Sequence, residues 1–561
     1  MEALQHQGVA RHLLDPAYLD LEGLIEDLKH GITVHEGQLG VAELPATKRK
    51  LALAIGGGGA AGAYSAGVLE ALLAGLEAAG IHVDLLVGTS AGALNSYGVF
   101  IEKLGQQNGQ LSRDPEMKQP YTSFIAAIWS YLDRYRKTSV WIAGRRAWII
   151  DIATRGINTR LKRWGIIALV ILLAYVLNPF LFVSLFSWAG LDEALHAIPT
   201  VGELGSNHGL HFTVLGLISL ASLWFCCWLV IRAFRYSLFR DVPLMRLLAN
   251  TGQDGDLSRP WFWPKEQSED RARALSRELV ENWYKGRDEL PELIVTAIDL
   301  TLGRECLFTL VKPETYCGLL GRDLMAVQLD SRHPSARDYE KFPGALFTLP
   351  ENLLQCILSS TAVPGAFPAQ QMGLYQRTSS REVRHFFVDG GAINNSPIHI
   401  AVDAGATHVI SLELEPLERI DPATADDRSL GFNLLETGVE TFSSLLKLST
   451  EKDVRRTVAW NTFLAGHPHA LRPQEGAPDE YCDTAKRIIP LYRIAPRKRE
   501  IETVEFDGHY EGGKRTVSLR DWLRRGLVDM RGRRIWRATM QPIPDTPGEA
   551  SQLPRSEVEQ A

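Results

Sequence analysis

Apolar and polar positions divide the chain into two regions of alternating strand and helix signals, with a different kind of stretch between them. Leu51 to Ile55 is an apolar run short enough for a buried strand, and it passes straight into glycines 56–59. From Tyr64 to Ala79 apolar residues fall at 68, 69, 72, 73 and 76, the spacing of a helix. Val83 to Val87 reads as a second buried strand, and Ala91-Gly92-Ala93-Leu94-Asn95 can open a second helix. Strand, glycine loop, helix and strand in that order make a βαβ unit, which predicts an α/β fold with a mainly parallel sheet covered by helices. The alternation resumes with a helix over Asp270–Tyr284 and a strand over Leu293–Ile298. It continues through the apolar stretch Leu353–Ser360, a strand at Phe386–Val388, a helix at Ala401–Ala404 and a strand at His408–Leu414. Further helices are expected at Leu19–Leu28, Leu434–Leu448 and Asp521–Met530, and no internal repeat is apparent.

The stretch between these regions has another character. From Gly165 to Leu191, and again from Leu204 to Ile231, there is no Asp, Glu, Lys or Arg. Each is long enough to cross a hydrocarbon core, which needs about 20 apolar residues. Trp164 and Trp188 bracket the first span, where aromatic belts sit. Ahead of it, basic residues at 134, 136, 137, 145, 146, 155, 160, 162 and 163 face one acidic residue, Asp151; behind the second span come Arg232, Arg235 and Arg240. The linker between the spans carries Asp192, Glu193 and Glu203 and no basic residue. The positive-inside rule then puts both outer flanks in the cytoplasm and the linker outside. The expectation is a transmembrane hairpin at 164–234, with spans at about 165–188 and 211–231, inserted into a soluble domain whose two halves lie on the same side. The basic segment 134–163 is expected to lie along an anionic membrane surface.

Composition adds little to this. With 561 residues the chain can hold more than one domain, and a net charge of −6 gives no general pull toward nucleic acid. The six cysteines (226, 227, 306, 317, 356, 482) form no CxxC pair and no zinc-spaced cluster, which points to a reducing compartment and no metal site. The first residues lack a basic stretch leading into an apolar core, so no cleaved signal peptide is expected. The tail 542–561, rich in Pro, Glu, Gln and Ser, is expected to be disordered.

Candidate chemistry gathers at three predicted strand ends. Gly88-Thr89-Ser90-Ala91-Gly92 places a serine between glycines at a strand-to-helix turn, the pattern of a nucleophile elbow. The loop Gly57-Gly58-Gly59-Ala60-Ala61-Gly62 opens a helix and can aim several backbone N–H groups at one cavity, as an oxyanion hole requires. Asp389, followed by Gly390 and Gly391 at the end of a strand, is the candidate base. Carboxyl-end loops are where parallel sheets carry their sites.

These pieces resemble the patatin-like phospholipases, in the order glycine loop, Gly-x-Ser-x-Gly elbow and late Asp-Gly-Gly. The segments Ser359–Pro368 and Asn394-Asn395-Ser396-Pro397 are similar to that family's as well. The resemblance covers about 51–100 and 293–414. It implies a three-layer patatin-like fold and a lipid acyl hydrolase working through a Ser–Asp dyad, with no cofactor and no metal. Ser90 would be the nucleophile and Asp389 the base. Gly57, Gly58 and Gly59 would lend oxyanion-hole amides, with Gly62, Gly88, Gly92, Gly390 and Gly391 supporting. One departure stands out: the family's glycine loop usually carries Arg or Lys where this chain has Ala61.

Other readings compete. Gly57, Gly59 and Gly62 also match a dinucleotide fingerprint, but the acidic residue that should hold a ribose is missing from the carboxyl end of the next strand, and Asp84 lies at its other end. A Ser–His–Asp hydrolase could draw on His399, His408, His467, His469 or His509, none of them in a glycine-flanked loop; His385, just ahead of the Asp389 strand, reads as structural. A membrane-anchored lipid-binding scaffold with a retained hydrolase fold is the non-enzymatic alternative. The expected organisation is an extension (1–48), a split catalytic domain (49–133 and 290–416), the basic segment, the hairpin, a linker with helices (235–289), a helical region (417–541) and the tail. The expected protein is an integral membrane serine acyl hydrolase cleaving phospholipid or lysophospholipid esters, its catalytic domain on the cytoplasmic face of a bacterial plasma membrane.

Overall fold

The computed structural model describes residues 13–35, 38–107, 124–134, 244, 248, 265–319, 322–328, 346–364, 367–376, 379–417, 434–467, 487–497, 501, 509–511, 514–532 and 534–540. The chain divides into two units, Met1–Val140 with Arg240–Ala561, and Trp141–Phe239. The second lies outside the described residues, as do the expected hairpin at 164–234, all but Arg134 of the basic segment, and the tail.

The strands are β1 (Ala17–Leu19), β2 (His30–His35), β3 (Gln38–Glu43), β4 (Leu51–Ile55), β5 (Leu85–Gly88), β6 (Glu292–Asp299), β7 (Arg304–Leu310) and β8 (Leu324–Val327). They continue with β9 (Leu346–Thr348), β10 (Gln370–Gln376), β11 (Ser379–Asp389), β12 (His408–Leu412), β13 (Leu491–Ile494), β14 (His509–Glu511), β15 (Lys514–Val517) and β16 (Ile535–Arg537). The helices are α1 (Leu21–Asp27), α2 (Gly62–Ala78), α3 (Ala91–Gln107), α4 (Phe124–Arg134), α5 (Lys265–Gly286), α6 (Pro313–Gly318), α7 (Leu353–Ser360), α8 (Ile398–Asp403), α9 (Leu434–Gly466) and α10 (Leu519–Asp529).

Twelve strands form one sheet in the order β1-β16-β13-β12-β4-β5-β6-β11-β10-β9-β8-β7, and β2–β3 and β14–β15 are separate hairpins. Its centre, β13-β12-β4-β5-β6, is parallel. Strands β4, β5 and β12 are buried along their whole length, as expected of unbroken apolar runs with both faces covered. The mainly parallel sheet expected from the sequence needs correction on its flanks. Strand β16 runs antiparallel to both β1 and β13, and β6 turns back through Leu300–Gly303 into antiparallel β7. Because β7 also pairs with β8 at the far edge, strands β6 to β11 close into a mixed barrel. Antiparallel partners need only a tight turn, which Gly303 makes at φ 68°, whereas a parallel partner needs a crossover.

The terminal regions belong to the same body. The N-terminal extension supplies β1, and the region expected to be helical at 417–541 also supplies β13 and β16. Helix α9 runs far past Leu448. Its continuation buries four polar residues, Thr450, Asp453, Thr457 and Asn461, alongside Val454, Val458, Leu464 and Ala465, an inner face of mixed polarity. Each of the four is bonded: Asn461, for one, donates to the carbonyls of Ile489 and Thr539 at 2.8 Å. Helix α10 crosses α2 so closely that a methyl group on Gly67 would lie 1.8 Å from the Leu523 carbonyl oxygen. Reciprocally, one on Gly526 would lie 2.2 Å from that of Tyr64. Among the described residues one helical stretch, Gly59–Ala78, is long and apolar enough to cross a membrane, and it is mostly buried inside this body.

Candidate active site

The site is built where two strands meet end to end. Strand β5 lies along the first half of β6, parallel, with Gly88 opposite Val295. Strand β11 lies along the second half of the same edge, antiparallel, with Asp389 opposite Ala297. The two chains therefore run toward each other and leave the edge at Thr296. Thr296 holds both exits: its hydroxyl is 2.7 Å from that of Thr89, and a side chain on Gly390 would meet its Oγ1 at 2.5 Å. This register brings Ser90 and Asp389 together from distant parts of the sequence.

Ser90 has φ 54°, and among the described residues it is the one non-glycine in the left-handed region. Such a backbone costs about 1–3 kcal/mol and persists only where the surroundings hold it. Here the Ser90 N–H donates to the buried Ser360 Oγ at 2.8 Å, and the flanking glycines admit what no side chain would. A methyl group on Gly92 would lie 2.0 Å from the Ile55 carbonyl oxygen, and one on Gly88 would lie 2.5 Å from Ser96 Oγ. Helix α3 starts at the next residue, so its positive end faces Ser90.

Asp389 is almost fully buried. Its carboxylate accepts the N–H of Gly391 at 2.7 Å, and the Ser90 side chain lies close enough to pull its pKa down. Its own N–H donates to the Ala362 carbonyl at 3.0 Å. Burial raises its pKa to about 7, against the opposing pull of Ser90 and the Gly391 N–H. A base titrating there is matched to proton transfer near neutral pH.

The glycine loop lies directly over Ser90. A methyl group on Gly57 would stand 2.7 Å from Ser90 Cβ. The Gly57 amide donates to the Asn395 carbonyl at 3.1 Å, so it is engaged and not aimed at a substrate. The amides of Gly58 and Gly59 have no acceptor among the described residues. Gly59 takes φ 55°, where glycine alone is unstrained. The end of the loop is pinned from two sides: Trp522 Nε1 on α10 donates to the Ala61 carbonyl at 3.0 Å, and Asn95 Nδ2 on α3 donates to that of Gly62 at 3.0 Å. Trp129 Nε1 in turn holds Asn95 Oδ1 at 2.7 Å. Ala61, where the family usually carries a cation, is fully buried.

The described histidines stand elsewhere. His385 Nδ1 is 2.5 Å from buried Asp299, His399 Nδ1 is 2.7 Å from Asp453, and His408 Nε2 is 2.7 Å from the His30 carbonyl. Burial lowers the pKa of His408 to about 4, so it is neutral. His467 bonds the Phe463 carbonyl, and His469 lies outside the described residues. Asp84 accepts the Leu51 N–H at the amino end of the sheet, remote from the glycine loop. The residues that sequence reasoning left without a role are Ser360, Ala362, Asn395 and, on α9, Ser449 and Thr450. Asn395 N–H donates to Ser449 Oγ at 3.0 Å, and its side chain reaches Thr450. Their signal is slight: small polar residues interrupting otherwise apolar stretches.

A parallel α/β core with a serine elbow facing a buried carboxylate at its carboxyl end has the architecture of a serine hydrolase. Residues 53–186 match the model of the patatin-like phospholipase family. The family supports lipid acyl hydrolysis in general terms. That match takes in the glycine loop and the elbow and ends well before Asp389, which only the β5–β6–β11 register brings to them. Among solved structures, VipD from Legionella pneumophila is similar at 13% identity over 94% of this chain and 72% of that one, with a TM-score of 0.27. No curated protein matches the chain.

Proposed function

We propose that the protein is a serine acyl hydrolase that cleaves lipid esters, phospholipids or lysophospholipids, with Ser90 as nucleophile and Asp389 as base. The observation that carries this reading is the Ser90 side chain set against the buried carboxylate of Asp389, whose pKa burial raises to about 7, with the Gly58 and Gly59 amides lacking an acceptor among the described residues. In the first step Ser90 Oγ bonds to the ester carbonyl carbon, its proton passes to Asp389, and the carbonyl π pair moves onto oxygen. The Gly58 and Gly59 amides face that charge. Collapse re-forms the carbonyl and breaks the bond to the leaving alcohol, which takes the proton from Asp389. Water then attacks the acyl-enzyme, giving its proton to Asp389. The fatty acid departs as Ser90 Oγ recovers that proton. Ile393 and Leu448 are large exposed apolar residues, and the Ser449 hydroxyl, next to Leu448, donates to the Ile393 carbonyl shortly after Asp389, which suits an apolar substrate.

Membrane attachment through the two charge-free spans belongs to the same proposal, supported by their length and by the basic flanks. A fluorophosphonate ester probe should label the wild-type protein and spare Ser90→Ala. Equal labelling of the two would remove the assignment. Cysteines placed in the 192–203 linker should label from the face opposite the catalytic domain, and labelling from the same face would remove the hairpin.

A further inference from the structure

Exposed apolar side chains meet at one turn. Leu300 and Leu302, between β6 and β7, are 53% and 43% exposed, and Phe386 on β11 is 45% exposed. Every N–H of the turn is bonded. Leu300 donates to the Phe386 carbonyl at 2.8 Å, which makes those two residues neighbours across the strands. Thr301 and Leu302 donate to the buried Asp299 carboxylate at 2.8 and 3.2 Å, and Gly303 donates to the Asp299 carbonyl at 2.8 Å. Turns normally carry small or polar residues. This one is fixed, and it holds two leucines out in water.

The patch lies toward the same end of the sheet as Ser90. Strand β6 passes Thr296 and reaches Leu300 four residues later, about 13 Å at roughly 3.3 Å per residue. On the face that carries Phe386, Val388 pairs with Ile298 and Ile298 with Glu305. Asn394 Nδ2, in the loop after Asp389, donates to that Glu305 at 3.0 Å. Exposed Ile393 belongs to this loop, so apolar surface extends from the turn toward the proposed site. Two cations frame the patch, Arg304 after the turn and Arg384 two residues before Phe386. Each is more exposed than the acid it faces, Asp323 at 2.7 Å and Glu382 at 3.9 Å.

Apolar side chains rimmed by outward guanidinium groups match the layering of a lipid interface, hydrocarbon beneath phosphate. A protein partner seated there would lie against the loop after Asp389, whereas a bilayer surface presents the proposed substrate. We propose that Leu300, Leu302 and Phe386 form a membrane-docking patch that seats the catalytic end of the sheet on phospholipid. The choice of lipid as occupant rests on the acyl hydrolase reading above. The charge-free spans would tether the chain, and the patch would set which end of the domain faces lipid.

The test uses the full-length protein reconstituted in vesicles of equimolar phosphatidylcholine and phosphatidylglycerol. Leu302→Cys carries a nitrobenzoxadiazole label. His82→Cys, exposed at the amino end of the sheet, carries the same label as reference, and wild type measures labelling of the native cysteines. Lipids with a nitroxide on the acyl chain should quench the label at 302 several-fold more than that at 82. No quenching at 302, or equal quenching at both positions, overturns the inference. So does a label at 302 shielded from aqueous iodide yet untouched by the nitroxide lipids, which would mean that protein covers the patch. Phe386→Cys repeats the measurement should Leu302→Cys fail to fold. Leu302→Asp should lower hydrolysis of vesicle phospholipid about tenfold or more relative to that of p-nitrophenyl butyrate, the scale of one leucine's transfer from water. Equal loss on both esters would place Leu302 in the support of the site and overturn the docking role. Quenching does not depend on turnover, so a failed hydrolase reading shows separately, as fluorophosphonate labelling that Ser90→Ala leaves unchanged.

Discussion

The buried hydroxyl of Ser360 accepts the backbone N–H of Ser90 at 2.8 Å, at the point where that residue is forced into a left-handed backbone. A little further along the same turn, the carbonyl of Ala362 accepts the N–H of Asp389 at 3.0 Å. The end of α7 thus holds both members of the Ser90–Asp389 pair by their main chains. Ser360→Ala leaves the Ser90 N–H buried without an acceptor, which should cost about 1–3 kcal/mol in urea denaturation. Turnover should fall about 10–100-fold, since small misplacements of a reacting group are costly. If stability drops and kcat does not, Ser360 supports the fold and not the geometry of Ser90.

As the proposed base, Asp389 gives activity an expected pH dependence. Only the ionised carboxylate can take the Ser90 proton, so kcat/KM should rise with pH through a midpoint near 7 and then level off. A profile flat from pH 5 to 9 would exclude Asp389 as the base.

The same group acts on stability in the opposite sense. Its folded pKa, about 7, lies above the unfolded value near 3.9. Between these the native state holds a proton that the unfolded chain has released, so stability is highest below the unfolded value and falls as pH rises through the folded one. Asp389→Asn should remove this loss. It should raise the melting temperature at pH 8 by several degrees, corresponding to a few kcal/mol, while turnover disappears. A melt at pH 8 that matches wild type would show that burial of the charge is not destabilising.

Ala61 sits under Trp522 with no exposed surface. Ala61→Arg, which restores the family's usual cation, should therefore lose several kcal/mol by burying an unpaired charge. A stable, more active Ala61→Arg protein, measured by melting and esterase rate, would mean the loop opens to solvent. The indole of Trp522 fixes this part of the loop in the absence of the cation.

Gly67 and Gly526 let α2 and α10 touch backbone to backbone. Gly67→Ala should destabilise by about 3 kcal/mol or more, beyond an ordinary overpacked core site, because backbone and not a flexible side chain opposes the new methyl. Since α2 begins at the glycine loop, turnover should fall with it. Wild-type urea midpoints in this variant would contradict the crossing.

Much of the centre was legible because its signals are local. The runs 51–55 and 408–414, the glycines after Ile55 and the turn around Ser90 each carry their structure within a few residues. The partner of β11 is not such a signal, because apolar alternation says that a residue is buried and not which edge it joins. The fork at Thr296 was invisible for that reason. So was the reach of α9, whose inner face mixes Thr450, Asp453, Thr457 and Asn461 with Val454 and Val458. Gly57 shows the same limit at the scale of one amide: a glycine loop predicts donors, but only the fold shows that Asn395 has already taken one.

Strand β6 works as a ruler. Val295 marks where β5 stops at Gly88 and Ala297 where β11 stops at Asp389, so the two strand ends are one residue of β6 apart. Nothing in that gap depends on the length or nature of the chain joining β5 to β6. The segment 141–239 falls within that connection in the sequence, whereas the spacing of the two groups is set by the pairing on β6. A domain measured out this way can carry an inserted segment of very different solubility and keep its reacting groups in register.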